Sequence, residues 1–158
     1  MGYTHYWTFN KQADIADYSA KMATASAKIK EAYEIVKGDF IHYDLIDNCY
    51  EWGLDWDDLE LKLASDTCYD KPKFTDEQII FNGVTPKMGC ESFIIETKHH
   101  KTWDFCKTYG RPYDIMVCAA LLILKNVFGD DFSFESDGNI EQGECGWKLA
   151  KEIANMVK

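Results

Sequence analysis

The stretch PYDIMVCAALLILKNVFG, residues 112–129, decides the fold. Pro112 suits the first turn of a helix, where a missing N–H costs nothing, and Gly129 suits the helix end. The run 115–124 between them is apolar on nearly every side, which is typical of a helix buried in a core. We therefore expect a buried helix over residues 112–128, around which the other elements pack.

Six other segments show the periodic patterns of secondary structure. Alternating or β-branched residues, typical of strands, occupy four of them: 3–9, 78–84, 91–97 and 131–135. The second and third are separated by a turn that contains Pro86 and Gly89, so they should form a hairpin. Apolar residues three to four positions apart, typical of amphipathic helices, occupy the other two: 11–37 and 140–157.

The predicted element order is strand, helix, strand, strand, helix, strand, helix, which matches the split βαβ or ferredoxin-like pattern. We therefore expect an α+β fold with a four-stranded antiparallel sheet and helices on one face. An acidic insertion at 39–75 follows helix one, and an extra helix ends the chain. Within the insertion, residues 41–52 and 56–63 can each form a short helix. The length fits a single domain over residues 1–158.

Acidic residues are concentrated in one part of the chain. Residues 39–70 contain ten Asp or Glu residues and a single lysine, whereas the whole protein has a net charge of −10 at pH 7. Affinity for duplex nucleic acid or for an anionic membrane depends on basic surface. The charge therefore argues against either as the main partner, although a small anion can still bind in a local basic pocket.

Three further features indicate the cellular setting. The longest apolar run, residues 115–124, has ten residues, whereas a membrane helix needs about 20. The polar residues 1–10 do not resemble a signal peptide, and the six cysteines include no CxxC pair that would nucleate a zinc or redox site. We therefore expect a cytoplasmic protein with reduced thiols, no metal and no cofactor.

One basic segment precedes the buried helix. Residues 98–111 hold four of the 17 basic residues and two of the four histidines, against one acid. They lead into the helix start, where N–H groups and the helix dipole favour an anion. Arg111 is the only arginine, and a guanidinium can bind phosphate or carboxylate through two hydrogen bonds. Arg111 either contacts a ligand or pairs with Asp114 or a neighbouring loop. Lys107 and Thr108 allow the same two interpretations, a phosphate site or a solvated loop.

Two residues are candidates for acid–base chemistry, His5 and Asp137. His5 lies near the start of the first strand, where it is either a hydrogen-bonded core residue or a general acid or base. Asp137 lies in a Ser-Asp-Gly turn, and the ferredoxin-like strand order would bring it to the same sheet edge as His5 and Arg111. There it could act as a general base or accept a hydrogen bond from a ribose hydroxyl. The same order would place three residues at the opposite edge: Asn82, Gly83 and Glu91.

The ligand-binding residues that this arrangement predicts combine positive charge, aromatic rings and hydrogen-bonding groups. They are Tyr3, His5, Trp7, Lys107, Thr108, Arg111, Tyr113 and Asp137. We expect the cations to contact phosphate and an aromatic ring to stack on a base. The adjacent His99 and His100 are not expected to share a metal ion, because successive residues of a strand face opposite ways.

Six short motifs resemble a family of short uncharacterised proteins found in bacteriophages and prophages. The motifs are GYTHYW (2–7), FNGV (81–84), GCESF (89–93), FCKT (105–108), RPYD (111–114) and SDG (136–138). The resemblance implies a phage protein that acts inside the host cell. Small acidic phage proteins of this kind include homo-oligomers that sequester nucleotide immune signals of the host, burying a phosphate-bearing ligand among Arg, Lys and aromatic side chains.

Three functions remain open from the sequence. The first is a homo-oligomeric binding module that holds a nucleotide-like anion at the basic edge. The second is a small phosphodiesterase or nucleotide hydrolase that uses His5 or His100 in the same pocket, oriented by Asp137. The third is a protein-binding inhibitor that presents the acidic segment 39–70 to a basic host surface.

Overall fold

The computed structural model describes residues 3–38, 61–66, 70–98, 101–144 and 146–157. These residues form an α+β fold with short strands, three helices of ten or more residues and a one-turn helix. In chain order the elements are β1 (Thr4–Phe9), α1 (Tyr18–Val36), β2 (Leu63–Ala64), β3 (Lys73–Phe74), β4 (Gln78–Gly83), α2 (Thr85–Met88), β5 (Phe93–Glu96), β6 (Trp103–Lys107), α3 (Asp114–Phe128), β7 (Phe132–Ser136) and α4 (Trp147–Met156).

The strands make two open antiparallel sheets. In the first sheet β1 is central, and it pairs with β6 on one edge and β7 on the other. In the second sheet β4 pairs with β2, β3 and β5. The predicted hairpin is confirmed as the β4–β5 pair, in which Phe81 lies opposite Phe93.

A ferredoxin-like fold is not confirmed, because the predicted strands do not share one sheet. The longest strand missing from the prediction is β6, which lies inside the basic segment that was expected to be a loop. Its five residues contain Asp104 and Lys107, whose charges disguise the alternation, and only pairing with β1 makes the strand evident. Thus β1 pairs with β6 and β7 rather than with the hairpin.

The helix positions are largely as predicted, with later starts. The buried helix is confirmed as α3. Helix α1 begins at Tyr18 rather than at residue 11, because a 3₁₀ turn and the left-handed Asp17 (φ 54°) precede it. Helix α4 begins at Trp147 because turns occupy residues 140–144. In the predicted insertion the structure has β2 and β3, while the predicted helix 41–52 and residues 56–60 lie outside the described residues.

Aromatic side chains connect the two sheets in the core. The rings of Trp7 on β1 and Phe93 on β5 lie 5.0 Å apart. Helix α3 is buried along most of its length and packs against α1, α4 and β7. Among the described residues, no helix combines the length and the apolar character needed to cross a membrane.

Candidate functional site

A buried polar cluster lies where β1 meets the start of α3. His5 Nε2 lies 2.5 Å from Asp114 Oδ1, and the Thr108 hydroxyl donates to the same oxygen at 2.6 Å. The Cys118 thiol donates to the other carboxylate oxygen at 3.5 Å. All four side chains are buried. His5 is therefore a hydrogen-bonded core residue, one of the two roles that the sequence allows.

The carboxylate that contacts His5 is Asp114, not Asp137. Asp137 Oδ2 instead accepts a hydrogen bond from the Thr4 backbone N–H at 3.0 Å, on the exposed side of the turn. Among the described residues, His5 Nδ1 has no hydrogen-bond partner. The His5–Asp137 pairing that the hydrolase hypothesis requires is therefore wrong, and His100 lies outside the described residues.

The same cluster offers donor atoms of the kind that bind metals. In the described part of the chain, His5, Asp114 and Cys118 place one nitrogen, one oxygen and one sulfur atom within 4.8 Å of one another. These donors suit zinc, but the His5 nitrogen is already hydrogen-bonded to Asp114 at 2.5 Å. A ligating histidine also normally donates its second N–H to an acceptor, which His5 Nδ1 lacks among these residues. The geometry is that of a structural hydrogen-bond network.

A tight turn joins β6 to α3 and holds Tyr109 in an unusual backbone conformation. Tyr109 (φ 57°) and Gly110 (φ 65°) are both left-handed, which costs a residue other than glycine about 1–2 kcal/mol. The backbone N–H groups of Thr108 and Tyr109 donate to the Tyr3 carbonyl at 2.9 and 3.3 Å. The Gly110 N–H donates to the Thr108 hydroxyl at 3.2 Å. These hydrogen bonds keep Tyr109 in the strained conformation.

The strained turn places the Tyr109 ring near two cations. Lys107 Nζ lies 4.7 Å from the ring centroid, and Arg111 Cζ lies 5.9 Å from it. All three residues are half-buried, and such cation–aromatic contacts are attractive. We call Lys107, Tyr109 and Arg111 the Tyr109 patch. The other two basic residues of the segment, Lys98 and Lys101, pair with acids at the surface.

The loop between β4 and β5 supports the patch. Arg111 Nη1 donates to the Gly89 carbonyl, and the Tyr113 hydroxyl donates to the Glu91 carbonyl at 2.6 Å. The Glu91 N–H donates to the Lys107 carbonyl at 3.0 Å, and the Lys107 N–H donates to the Glu91 carboxylate at 2.7 Å. The expectation that Glu91 lies at the opposite edge is therefore wrong, because the β4–β5 hairpin belongs to the second sheet.

Asn82 and Gly83 set the shape of this loop. The buried Asn82 amide donates to the Cys90 carbonyl at 2.9 Å and to the Ser92 hydroxyl at 3.0 Å. Its oxygen accepts from the N–H groups of Gly83 at 2.7 Å and Cys90 at 3.1 Å. A Cβ atom on Gly83 would lie 1.9 Å from the Met88 carbonyl oxygen. Only glycine allows the loop to return this close to β4.

The start of α3 does not provide the open anion site that the sequence suggests. The first N–H groups of the helix, on Asp114, Ile115 and Met116, already donate to backbone carbonyls three positions earlier. The negative charge at this helix end is the buried carboxylate of Asp114. The N–H groups of these three residues are therefore not available to bind an external anion.

The predicted ligand residues divide into buried and accessible groups. Trp7, His5, Thr108 and Tyr113 are buried, and burial raises the pKa of the Tyr113 hydroxyl well above its usual range. Tyr3 is half-buried, with its hydroxyl packed where a Cβ on residue 138 would lie. The accessible members are Lys107, Arg111 and Asp137.

The ligand prediction omitted Tyr109, although a sequence signal was present. An aromatic residue stands two positions from each of two cations and directly before a glycine, in the pattern Lys107, Tyr109, Gly110, Arg111. Glycine marks a turn, and a turn can bring alternate side chains of this kind together.

All six motifs that carry the family resemblance contribute to one hydrogen-bond network. Their contacts include Tyr3 with Thr108, Asn82 with Cys90, and Glu91 with Lys107. The SDG motif joins through Asp137, which accepts from Thr4. Comparisons with protein-family models, curated proteins and solved structures give no match to this chain.

Proposed function

We propose that this protein binds a phosphate-bearing, nucleotide-like ligand at the Tyr109 patch without changing it covalently. The observation that supports this most is the position of Tyr109, a strained aromatic residue whose ring lies within 6 Å of both an ammonium and a guanidinium group. Strained residues are concentrated at ligand sites. Two adjacent cations beside an aromatic ring match the chemistry of a phosphate attached to a planar base.

The overall charge of the protein makes a local site necessary. At a net charge of −10, the long-range field repels anions, so affinity must come from contacts at short distance. Among the described residues, the Lys107 ammonium has no ion-pair partner within 4.0 Å, and its described contact is the Tyr109 ring. Its charge is therefore available to a phosphate that approaches the patch.

Binding rather than turnover is favoured by the burial of reactive side chains. His5, Cys106 and Cys118 are fully buried, and burial raises the pKa of the Cys106 thiol well above its usual range. A buried thiol with a raised pKa is a poor nucleophile. In the host-cell setting that the family resemblance implies, we propose that binding sequesters a nucleotide signal, with the protein acting in the cytoplasm as a homo-oligomer.

The experiment measures binding of the four ribonucleoside 5′-monophosphates and cyclic di-GMP by calorimetry and native mass spectrometry. Lys107→Ala is the main variant, because the described contact of its side chain is with Tyr109 alone. We expect at least a tenfold loss of affinity in Lys107→Ala, and a loss in Arg111→Lys as the two-bond phosphate contact disappears.

The matched control is Lys30→Ala, which removes an exposed lysine from α1 and should leave affinity unchanged. Equal losses in Lys30→Ala and Lys107→Ala would contradict the proposal. Mass analysis of the recovered nucleotide separates binding from catalysis: an intact ligand supports binding, whereas a cleaved product supports the hydrolase alternative. The inhibitor alternative concerns residues 39–70, most of which lie outside the described residues, and stays a prediction.

A further inference from the structure

The outward face of the first sheet carries an exposed aromatic surface. Residues alternate between the two faces of a strand, and β6 presents Trp103 and Phe105 outward with 53% and 43% of their surface exposed. The ring of Tyr6 on β1 stacks with Trp103 at 6.3 Å between centroids and 24° between planes. Trp103 and Phe105 lie 5.5 Å apart. We call these three residues the aromatic face.

A small cavity opens on this face. It has a volume of about 200 Å³ and is lined by residues of β1, β7 and the start of β6: Tyr6, Trp7, Thr8, Trp103, Ser133, Phe134 and Glu135. Sites for drug-sized ligands have volumes of about 300–1,000 Å³, so this one suits a single ring system. Its walls combine aromatic rings with two hydroxyls and one carboxylate, which can hydrogen-bond to the edge of a planar base.

The aromatic face and the Tyr109 patch are continuous. Phe105 and Lys107 lie two residues apart on β6, on the same face of the strand, and they stand opposite Tyr6 and Thr4. Two residue steps along an extended strand span about 7 Å, and the four steps from Trp103 to Lys107 span about 14 Å. A nucleotide that lies along β6 can therefore place its base over an exposed aromatic ring and its phosphate beside Lys107.

Charge fixes the direction in which such a ligand lies. Glu135 stands across β1 from Phe105, because both residues pair with Tyr6. Its carboxylate repels phosphate and accepts hydrogen bonds from the N–H groups of a base. The positive end of the surface is at Lys107 and Arg111, where phosphate is favoured. A polynucleotide that crossed the face would bring a phosphate toward Glu135, so a single nucleotide unit fits better than a strand.

We propose that the aromatic face binds the nucleobase of a nucleotide, by stacking on Trp103 and its neighbours, while the Tyr109 patch holds the phosphate of the same molecule. This inference rests on the proposed function, since the patch supplies the phosphate contact. It assigns the base-binding role to Tyr6, Trp103 and Phe105, which the sequence prediction did not include.

The test compares GMP with ribose 5-phosphate, which has the same phosphate and no base. The variants are Trp103→Ala, Lys107→Ala and the control Ile35→Ala, which removes a 42% exposed apolar residue from α1. We expect wild-type protein to bind GMP at least tenfold more tightly than ribose 5-phosphate. Trp103→Ala should lose at least tenfold of the GMP affinity and none of the ribose 5-phosphate affinity. Ile35→Ala should change neither.

Fluorescence identifies the residue that the base contacts. GMP should quench tryptophan emission in wild-type protein, and Trp103→Phe should lose most of that quenching while it keeps binding measured by calorimetry. Equal affinities for GMP and ribose 5-phosphate, or full GMP affinity in Trp103→Ala, would overturn base binding at the aromatic face. Neither result would contradict phosphate binding at the Tyr109 patch. Nucleotide affinity that is insensitive to Lys107→Ala would instead overturn the proposed function.

A second copy of the chain is the other possible occupant of this face. If Trp103 emission changes with protein concentration and GMP does not reverse the change, the face is a subunit interface, and the inference is wrong. If GMP and protein concentration act independently on that emission, the base-binding assignment stands.

Discussion

The Nε2 atom of His5 lies 2.5 Å from Oδ1 of Asp114, which joins the second residue of β1 to the first residue of α3 inside the core. The turn that carries Tyr109 lies between β6 and α3, and Thr108 in that turn donates to the same carboxylate oxygen at 2.6 Å. The buried Asp114 carboxylate therefore contacts β1 through His5 and the turn that carries Tyr109 through Thr108. These two contacts help to position the Tyr109 patch.

Removing this carboxylate should destabilise the protein strongly. Asp114→Ala leaves the buried polar groups of His5, Thr108 and Cys118 without this hydrogen-bond partner, and each buried group left unpaired costs about 1–3 kcal/mol. We expect the free energy of unfolding in urea to fall by about 3 kcal/mol. Asp114→Asn, which keeps one acceptor oxygen, should lose less.

The control for this prediction is Asp130→Ala, which removes an exposed acid after α3 and should change stability by no more than about 0.5 kcal/mol. Similar losses in Asp114→Ala and Asp130→Ala would show that the buried network contributes little.

Replacing either of two glycines with alanine should destabilise the protein, for different reasons. In Gly83→Ala the new Cβ would lie 1.9 Å from the Met88 carbonyl oxygen, a backbone atom that cannot easily move. Overpacking of this kind costs about 1–3 kcal/mol. In Gly129→Ala the Cβ meets nothing within 4 Å, and the cost comes from the backbone, whose φ of 58° and ψ of −126° form a combination that few residues other than glycine adopt. Thermal unfolding should therefore show a clear loss in both variants, and a Gly83→Ala protein as stable as wild type would contradict the loop geometry described here.

Replacing Tyr109 should lower nucleotide affinity with little change in stability. Tyr109→Gly relieves the strain of the left-handed backbone (φ 57°), which offsets lost ring contacts, so stability should stay within about 1 kcal/mol of wild type. Nucleotide affinity should nevertheless fall at least tenfold, because the ring that lies near both Lys107 and Arg111 is gone. Tyr109→Phe keeps the ring and should keep most of the nucleotide affinity. Calorimetry and urea unfolding measure the two effects, and a stability loss with unchanged binding would assign Tyr109 a purely structural role.

Stability should decrease at alkaline pH. Burial raises the pKa of the Tyr18 hydroxyl to about 12, while tyrosine in an unfolded chain titrates near about 10. Between these values the unfolded chain loses the proton that the folded protein retains, so the free energy of unfolding falls as pH rises. Below about pH 10 the contribution is complete.

Urea unfolding at several pH values between 9 and 11.5 tests this prediction. Tyr18→Phe removes the titrating group, and it also removes the hydrogen bond that the hydroxyl donates to the Thr97 carbonyl at 2.7 Å. The variant should be less stable at pH 8 and should lose stability less steeply above pH 10. Parallel pH dependence in the two proteins would mean that Tyr18 does not contribute to alkaline unfolding.

Much of the fold could be predicted from local sequence patterns. The predictions of the buried helix α3, the β4–β5 hairpin and the first strand β1 are all confirmed. The later starts of α1 and α4 were missed, because left-handed residues and turns interrupt a helical pattern without changing its apolar spacing. The strand β6 was missed because strand formation depends on the partner as well as on local propensity.

By itself, the sequence determined which segments are buried and where the basic residues gather, because periodicity and charge are properties of neighbouring residues. Only the tertiary structure decided that β6 pairs with β1, that His5 meets Asp114 across 109 positions of chain, and that the Tyr109 ring lies near two cations. Contacts between distant residues depend on how the whole core packs, since each buried polar group must find a partner in space. Packing therefore selects partners that local patterns do not specify.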